Sequence, residues 1–389
     1  MDGPTKKDAI RLVIIQPYLP AYRAPVYKRL AAEPDIDLTV VHASTPWIKN
    51  VEPIGFRAVF EPMKIVHIRR HPFYWQPSFT RWAEPSRCDA MILNWDAHYL
   101  HLLPSILKAR RNGIGTVVWG HGYSKNRGLL AYPRRRLGAT ADALAFYTER
   151  GRRELSEFGV EMKRMFVAYN ALDTEPIDAA ILHWKSRPDD LAAFRVEQGI
   201  APDEAIVLFV ARIGPERRID MLLEAASKLR DRRFRIVLVG GGDEPTARAL
   251  EARAAELGIG DRLKRVGPCY DEKQLAKWFL SARVQCFPSS IGLSLMHAFA
   301  YSVPVITSDL SDVHGPEFEA LHAEQNSLTY RNGDVHSLAA QLARLLDDAP
   351  LAQRLGWAAR RTIDETYNIG RMVKGLADAA RYAVSVQRS

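Results

Sequence analysis

Short apolar runs that end in polar or glycine-rich turns recur along the first half of the chain. Stretches with the apolar spacing of helices lie between several of these runs. Short buried strands that alternate with helices predict a parallel sheet covered by helices on both faces. The predicted strands lie in RLVIIQP, IDLTVVHAS, DAMILNW, GTVVWGHG, ADALAFYT and MFVAYN, and two of the predicted helices are APVYKRLAAE and LHLLPSILKARR.

The alternating pattern fades between residues 173 and 204, a segment rich in proline and aspartate with short helical pieces. Such a composition is typical of a linker. The sequence therefore predicts an N-terminal domain over 1–172, a linker over 173–204 and a C-terminal domain over 205–369. Residues 370–389 are predicted to form a final helix.

The second half of the chain alternates more regularly. AIVLFVAR predicts a strand, and the helix IDMLLEAASKLRD follows it with its apolar residues on one face. Further strands are predicted within FRIVLVGGGDE, LKRVGPCY, VQCFPSS and VPVITSD, with helices between and after them. The expected fold class is therefore α/β, with two Rossmann-like, doubly wound parallel-sheet domains.

The segments that follow predicted strands are candidates for a site, because ligands of open parallel sheets bind beyond the carboxyl ends of the strands. In the second half these segments are 212–218, 240–244, 267–270, 289–293 and the stretch from 308 onward. They bring arginines, two glycine loops and a loop entering a helix to one edge, a combination suited to a diphosphate. Each loop taken alone is better explained by the glycines and arginines that are common in loops of this fold class, and it is the order of the loops together that favours a site.

Composition narrows the class of protein. Of the 389 residues, 47% are apolar and 25% charged, as in globular proteins with a large core. The three cysteines form no metal-binding or redox spacing, and their odd number suits a reducing compartment. No apolar run is long enough for a membrane span, and the N-terminal apolar stretch is too short for a secretory signal. We therefore expect a cytoplasmic protein.

The net charge of +9 is concentrated in basic clusters before residue 170. Such a surface attracts an anionic membrane, a lipid diphosphate or nucleic acid, and it is equally compatible with solvated surface arginines. No RNA-binding signature or zinc-finger spacing supports nucleic acid, so we favour an anionic lipid, with peripheral contact to the inner face of the membrane. The clusters are Arg69/Arg70, Arg110/Arg111, Arg134/Arg135/Arg136, Arg152/Arg153 and Lys163/Arg164.

Four segments of the second half, VARIGPERRIDMLLEAA, IVLVGGGDE, KRVGPCYDEKQLAKWFLSARVQCFPSS and GLSLMHAFAYSVPVI, have the order and spacing of one enzyme family. They resemble the donor half of the retaining, family-four glycosyltransferases, which have the two-domain GT-B fold. In the first half, IIQPYLPAYRAPVYKRL, WGHG, ADALAFYTERGRRELSEFG and FVAYNALDT are similar to the same family. The resemblance covers nearly the whole chain. It implies two domains that face a central cleft and a last helix that packs back on the N-terminal domain.

The resemblance also implies three catalytic candidates. Arg212 takes the place of the family's diphosphate-binding arginine and Arg217 that of its lysine, while Arg218 stands where the family has a glycine. The choice between Arg217 and Arg218 stays open. Fixed cations there would stabilise the charge of a leaving diphosphate. His121 matches a histidine that faces the donor sugar, and a loop histidine that caps a carbonyl is the alternative.

The donor-binding loop departs from the family, which has two glutamates where Ser289 and His297 stand here. Serine and neutral imidazole are weaker hydrogen-bond acceptors than carboxylates. We therefore hypothesise that Glu317 or Glu319 supplies the missing carboxylate, and an acidic helix start after Pro316 explains both glutamates equally well. The other donor-binding candidates are Arg218, Gly267, Ser290, Ile291, Gly292 and Leu293.

On the acceptor side the candidates are Arg23, Asp96 and His98. The resemblance implies retaining transfer, with neither metal nor cofactor, from a nucleotide-diphosphate sugar to a lipid-linked or saccharide acceptor. The DxD pattern in DIDLTVV leads into a strand, so we expect no metal site there. Two alternatives stay open: a sugar-nucleotide epimerase of the same architecture and a non-catalytic partner that binds nucleotide sugars. A dinucleotide dehydrogenase is disfavoured because GGGDEP lacks the third glycine of its motif.

Overall fold

The computed structural model describes residues 8–68, 71–122 and 131–389, with the backbone alone at residue 68 and residues 131–134. The chain divides into two compact units. The first unit consists of Met1–Ala171 together with Asn368–Ser389, and the second unit consists of Leu172–Tyr367.

Along the chain, most strands are followed by a helix. The strands are β1 (Ile10–Gln16), β2 (Ile36–His42), β3 (Arg57–Phe60), β4 (Lys64–Ile68), β5 (His71–Trp75), β6 (Ala90–Asn94), β7 (Gly115–Gly120), β8 (Ala143–Phe146), β9 (Met165–Val167), β10 (Ala205–Val210), β11 (Phe234–Val239), β12 (Leu263–Gly267), β13 (Val284–Phe287), β14 (Val305–Ser308) and β15 (Ser327–Tyr330). The helices are α1 (Ala24–Ala31), α2 (Ser78–Arg81), α3 (Leu102–Arg111), α4 (Ala131–Ala139), α5 (Glu149–Glu157), α6 (Glu175–Lys185), α7 (Pro188–Glu197), α8 (Ile219–Ser227), α9 (Glu244–Glu256), α10 (Glu272–Ser281), α11 (Leu293–Ala300), α12 (Val335–Asp347), α13 (Ala349–Glu365) and α14 (Ile369–Arg388).

The first unit is built on a seven-stranded parallel sheet in the order β3-β2-β1-β6-β7-β8-β9. Side chains of β1 alternate between two cores, as the period of a strand requires. Leu12 and Ile14 face a core that α1 and α14 complete, while Val13 and Ile15 face a core that includes residues of α3 and α5. Strands β4 and β5 pair with each other in antiparallel fashion.

The last helix, α14, is part of the first unit and packs on β7, β8 and β9. Its approach to the sheet is close: a Cβ on Gly375 would lie 2.2 Å from the carbonyl oxygen of Val167. Beyond this contact, the Arg381 guanidinium donates hydrogen bonds to the carboxylates of Asp35 (2.7 Å) and Glu33 (2.9 Å). Glycine is therefore required at 375 by the packing of the helix.

The second unit is built on a six-stranded parallel sheet in the order β12-β11-β10-β13-β14-β15. Most of its strands are short apolar runs, and helices lie between most of them along the chain, so both units are doubly wound α/β structures. The predicted fold class of two Rossmann-like domains is confirmed.

Residues 173–204, which the composition predicts to be a linker, instead form α6 and α7 within the second unit. Both helices pack on α10. The rings of Phe194 and Trp278 meet edge to face with 4.7 Å between their centroids, and the Trp184 indole N–H donates to the carbonyl oxygen of Lys273 at 2.8 Å. The prediction of a linker is therefore wrong for this segment.

Candidate functional site

In the second unit the strand order reverses between β10 and β13, which is where an open parallel sheet forms a binding crevice at its carboxyl edge. A 3-10 turn, Pro215–Arg217, follows β10, and a loop of residues 288–292 follows β13. The Arg217 guanidinium donates a hydrogen bond to the carbonyl oxygen of Ser290 and lies over the Phe287 ring, 5.5 Å from its centroid. The structure thus brings Arg217 and the predicted donor loop together across this reversal.

A cavity of about 560 Å³ lies at the ends of β10, β11 and β12, and Arg212 lines it. Two glycines let the neighbouring loops touch: a Cβ on Gly240 would lie 1.8 Å from the carbonyl oxygen of Ala211, and one on Gly242 would lie 2.5 Å from that of Ile213. These glycines are therefore needed for packing. Gly267, the last residue of β12, has a φ of 85° and accepts a hydrogen bond from the Gly240 N–H at 2.8 Å.

The loop after β13 leads into the N-terminus of α11, whose N-cap residue is Gly292, and no side chain caps this end. The first N–H groups of a helix have no partners within the helix and attract anions. Ser290 has a φ of 58°, so the loop turns sharply at a residue other than glycine. Ser289 and Leu293 lie half-buried on either side.

His314 holds this loop in place. The ring is almost fully buried, its Nδ1 accepts the Ile291 N–H at 3.2 Å, and its Nε2 lies 2.9 Å from the carbonyl oxygen of Ser308. These two partners assign the neutral tautomer with a proton on Nε2. The N–H of Gly315 also donates to the carbonyl oxygen of Ile291 at 2.7 Å. Both backbone groups of Ile291 are therefore bonded to the segment that follows β14.

Of the two glutamates predicted near this loop, Glu317 is the one that lies against it. Glu317 is only 4% exposed, and a Cβ on Gly292 would lie 3.8 Å from its Oε2. A Cβ on Gly315 would lie 2.4 Å from the same oxygen, so glycine at 315 leaves the space that the carboxylate occupies. Glu319 is half-buried in the same 3-10 turn.

His297 makes a contact that the sequence did not predict. Its Nε2 lies 3.0 Å from Oε1 of Glu272, at the start of α10, and the Tyr301 hydroxyl donates to the same oxygen at 2.5 Å. Burial raises the pKa of the Glu272 carboxyl, whereas these hydrogen bonds lower it, and the net result is a pKa below the ordinary range. The carboxylate thus fixes the orientation of the imidazole. No signal in the sequence relates positions 272 and 297, because only the packing of α11 on α10 brings them together.

The first unit has its own strand-order reversal, between β1 and β6, and a cavity of about 240 Å³ lies at the ends of these strands. We refer to it as the first-unit cavity. Arg23 and Asp96, both predicted on the acceptor side, line it. His98 is bound to Asp96, with 2.7 Å between its Nδ1 and Oδ1 of the carboxylate. The structure therefore groups all three acceptor candidates.

His121 follows β7 at the same edge of the first sheet. Its ring centroid lies 5.1 Å from that of Tyr147, which lines the first-unit cavity. A Cβ on Gly151 would lie 2.5 Å from the His121 carbonyl oxygen, so glycine in α5 allows this loop to sit close to the helix. Sequence reasoning missed the aromatic lining of this cavity, since the rings come from well-separated segments.

Several of the basic clusters are engaged in contacts within the first unit. Arg135 pairs with Glu154 at 3.1 Å and Arg152 with Glu149 at 2.8 Å, while Arg164 donates to three backbone carbonyls. Arg69/Arg70 lie outside the described residues. The charge available to a membrane is therefore smaller than the sequence suggests.

The aspartates of the DxD pattern are both paired with arginines: Asp35 with Arg381 and Asp37 with Arg57. Within residues 8–68, 71–122 and 131–389, no three His, Cys, Asp or Glu side chains are grouped so that they could hold a metal ion. None of the described helices combines the length and the apolar character needed to cross a bilayer.

Comparison with known proteins agrees with the fold. Residues 191–362 match the family described as glycosyl transferases group 1. The chain is 33% identical over 232 residues to a D-inositol 3-phosphate glycosyltransferase of Nocardia farcinica, covering 57% of this chain and 48% of that protein. With the enzyme of the same name from Streptomyces bingchenggensis it shares 27% identity over 302 residues, covering 74% and 61%. The chain thus spans between about half and three-fifths of the length of these relatives.

Solved structures extend the similarity to both units. A glycosyltransferase from Rickettsia africae superposes with a TM-score of 0.73 at 14% identity, over 97% of this chain and 99% of that one. The HepE protein of Anabaena in complex with UDP gives a TM-score of 0.71 at 14% identity, over 95% and 98%. The predicted GT-B architecture is confirmed. The chain therefore has the GT-B fold, and its residues 191–362 are similar to the group 1 glycosyltransferases.

Proposed function

We propose that the chain transfers a sugar from a nucleotide-diphosphate donor, bound by the second unit, to an acceptor bound by the first unit. The anomeric configuration of the sugar is retained, and neither metal nor cofactor takes part. Relatives named as glycosyltransferases and a similar fold crystallised with UDP support this proposal. The observation that carries it is the contact of Arg217 with the Ser290 carbonyl, beside the uncapped N-terminus of α11.

These residues suit the chemistry of the donor. In the proposed step the bond between the anomeric carbon and the β-phosphate oxygen breaks, and the nucleoside diphosphate leaves with the electron pair. The acceptor oxygen bonds to the anomeric carbon on the same face, and its proton passes to the leaving phosphate oxygen. Arg212, Arg217 and the N–H groups at the start of α11 would stabilise the negative charge that grows on the diphosphate.

The acceptor in this proposal is a lipid-linked or polymeric saccharide. The relatives in the comparison carry inositol phosphate in their names, so a hydroxyl on a polyol ring is the expected nucleophile. Peripheral contact of the first unit with an anionic membrane would bring a lipid-linked acceptor within reach. The exposed Arg110 and Arg111 are the basic residues that we assign to this contact.

Thermal-shift titrations with UDP-, GDP-, ADP- and TDP-sugars, followed by transfer assays with the best ligand, test the proposal. We expect one nucleotide class to raise the melting temperature. Arg212→Ala should weaken its binding by about tenfold to a hundredfold, the range for a lost hydrogen bond to a charged group. Arg248→Ala, which removes an exposed arginine of α9, is the matched control and should bind the ligand as wild type does.

Three results would contradict the proposal. The first is the absence of any thermal shift with all four nucleotide sugars. The second is conversion of one nucleotide sugar into another without an acceptor, which would indicate an epimerase. The third is tight binding of a nucleotide sugar with neither transfer nor hydrolysis, which would indicate a binding partner without catalytic activity.

A further inference from the structure

Two polar groups that line the first-unit cavity lack partners among the described residues. Gln16 Nε2 and Thr45 Oγ1 are buried and make no hydrogen bond to any described residue. Arg23 is only 7% exposed, and within the described chain its guanidinium forms no ion pair; its hydrogen bond goes to the thioether sulfur of Met372 at 3.2 Å. A thioether is a weak acceptor, so most N–H donors of this arginine are unused.

Such a cluster is costly unless water or a ligand completes it. Each buried polar group without a partner costs about 1–3 kcal/mol, and a charged group costs more. The Arg23 charge is partly compensated by the rings of Trp119 and Tyr147, whose centroids lie 4.9 and 5.3 Å from the guanidinium carbon. Cation–π contacts do not use the N–H donors, which therefore stay available to an anionic oxygen.

The rest of the lining suits a hydroxylated ring. Six aromatic side chains line the cavity, and one of them, Trp47, is 58% exposed. Aromatic faces pack against the C–H faces of sugar rings, while carboxylate and amide oxygens such as those of Asp96 and Asn94 accept hydrogen bonds from hydroxyls. A cavity of about 240 Å³ is below the range of roughly 300–1,000 Å³ for drug-sized ligands, so it suits a single ring.

We propose that the first-unit cavity binds one sugar or cyclitol ring that carries an acidic substituent, a carboxylate or a phosphate. The acidic group meets Arg23, the ring oxygens and hydroxyls meet Gln16, Thr45 and Asp96, and the ring packs on Trp47. This inference rests on the proposed function only in taking the bound ring as the part of the acceptor that receives the sugar.

The test is a titration of the full chain, without donor, followed by calorimetry. The ligands are glucose, glucuronate, glucose 6-phosphate, myo-inositol, a myo-inositol monophosphate and inorganic phosphate. We expect at least one acidic ring to bind tenfold or more tightly than its neutral parent, which is the gain expected from a charge-assisted contact. Comparing glucuronate with the two phosphorylated rings shows whether the cavity prefers a carboxylate or a phosphate. Equal binding of neutral and acidic rings, binding of inorganic phosphate as tight as that of the ring, or no binding of any ligand would overturn the proposal.

Substitutions at the mouth and the wall of the cavity separate a ligand role from a structural one. Trp47→Ala, at an exposed side chain, should weaken ring binding about tenfold and leave binding of inorganic phosphate unchanged. Thr45→Val keeps the side-chain shape, removes the hydroxyl and should also weaken ring binding. Arg23→Lys retains the charge and should preserve part of the preference for acidic rings. Trp357→Ala, at an exposed tryptophan of the second unit, is the control and should bind every ring as wild type does.

The outcomes also separate this inference from the proposed function. If wild type binds none of the rings but still binds and transfers the nucleotide sugar, only the assignment of this cavity is overturned. Tight binding of an acidic ring without binding of any nucleotide sugar would overturn the proposed function and leave the cavity assignment standing. Variants at Trp47 and Thr45 that bind acidic rings as wild type does would place the ring elsewhere.

Discussion

Arg218 occupies a backbone conformation that is unfavourable for any residue with a side chain. It stands between the 3-10 turn after β10 and the start of α8, with φ 54° and ψ 40°. The left-handed conformation costs an L-residue about 1–2 kcal/mol, and glycine avoids this cost but loses about 0.5–1 kcal/mol more entropy on folding. A protein with glycine at position 218 should therefore be more stable than one with alanine there by about 0.5–1 kcal/mol. In a helix interior the preference is the opposite, because alanine stabilises a helix more than glycine does.

The assay compares Arg218→Gly with Arg218→Ala by thermal unfolding. Both variants lose the ion pair with Asp220, whose N–O distance is 3.4 Å and whose two side chains are half-exposed, so this small loss cancels in the comparison. For a unit of this size, the glycine variant should melt roughly 1–4 °C above the alanine variant. A glycine variant that melts at or below the alanine variant would refute the reasoning.

The same two variants decide which arginine holds the donor diphosphate. If Arg217 is the ligand, as its position beside the Ser290 carbonyl suggests, both Arg218 variants should bind the nucleotide sugar as wild type does. An equal, tenfold loss of affinity in both variants would assign that role to the Arg218 guanidinium instead.

Three further predictions concern other contacts of the two units. The hydrogen bond to His297 lowers the pKa of Glu272, so the stability that the Glu272 carboxylate contributes is complete above the ordinary pKa of 4.5 and is lost as pH falls through the lower folded pKa. In urea unfolding, the free energy of unfolding should therefore fall more for wild type than for Glu272→Gln between about pH 6 and about pH 3. Equal losses in the two proteins would contradict this prediction. Glu317→Ala should weaken nucleotide-sugar binding by about tenfold in a thermal-shift titration while Glu319→Ala leaves it nearly unchanged, and intact binding and turnover in both variants would end the hypothesis of a replacement carboxylate. Gly375→Ala should cost about 1–3 kcal/mol in the free energy of unfolding, measured with urea, because its Cβ would lie 2.2 Å from a carbonyl oxygen; an unchanged midpoint would show that α14 can shift.

The sequence predicted most of the buried strands because their apolar runs are nearly continuous. It did not predict β15, which is mostly buried but whose four residues alternate between polar and apolar. It also did not predict β3 or the β4–β5 pair, whose side chains are mostly partly or fully exposed and therefore carry no such run. Pro72 lies within β5, and proline argues against a strand when only the sequence is known. A strand without a nearly continuous apolar run is therefore not visible in the sequence.

The segment 173–204 was misjudged because the same residues mark linkers and helix starts. Pro176 lies in the first turn of α6, and Pro188 begins α7, followed by Asp189 and Asp190. Proline fits the first helical turn, and aspartate there interacts favourably with the helix dipole. The position of these prolines and aspartates just before apolar residues indicates a helix start, whereas their abundance alone does not distinguish a helix start from a linker.

The loops of the candidate site could be predicted because strand ends fix where loops emerge in a parallel sheet. The partners within those loops could not. The pairing of His297 with Glu272 depends on how two helices pack, and the unused donors around Arg23 become visible only when burial is known. Chemistry that depends on tertiary packing therefore required the structure.

The first unit cannot complete its core until helix α14, at the C-terminal end of the described chain, has been synthesised. Ala379 and Ala383 of this helix share one core with Leu12 and Ile14 of β1, although the whole second unit lies between them in the chain. On the ribosome, the second unit can complete its core while the first still lacks this helix, which reverses the usual order in which an N-terminal domain folds first. Until the last helix is made, the apolar face of the first sheet that it covers stays open to water and to chaperones.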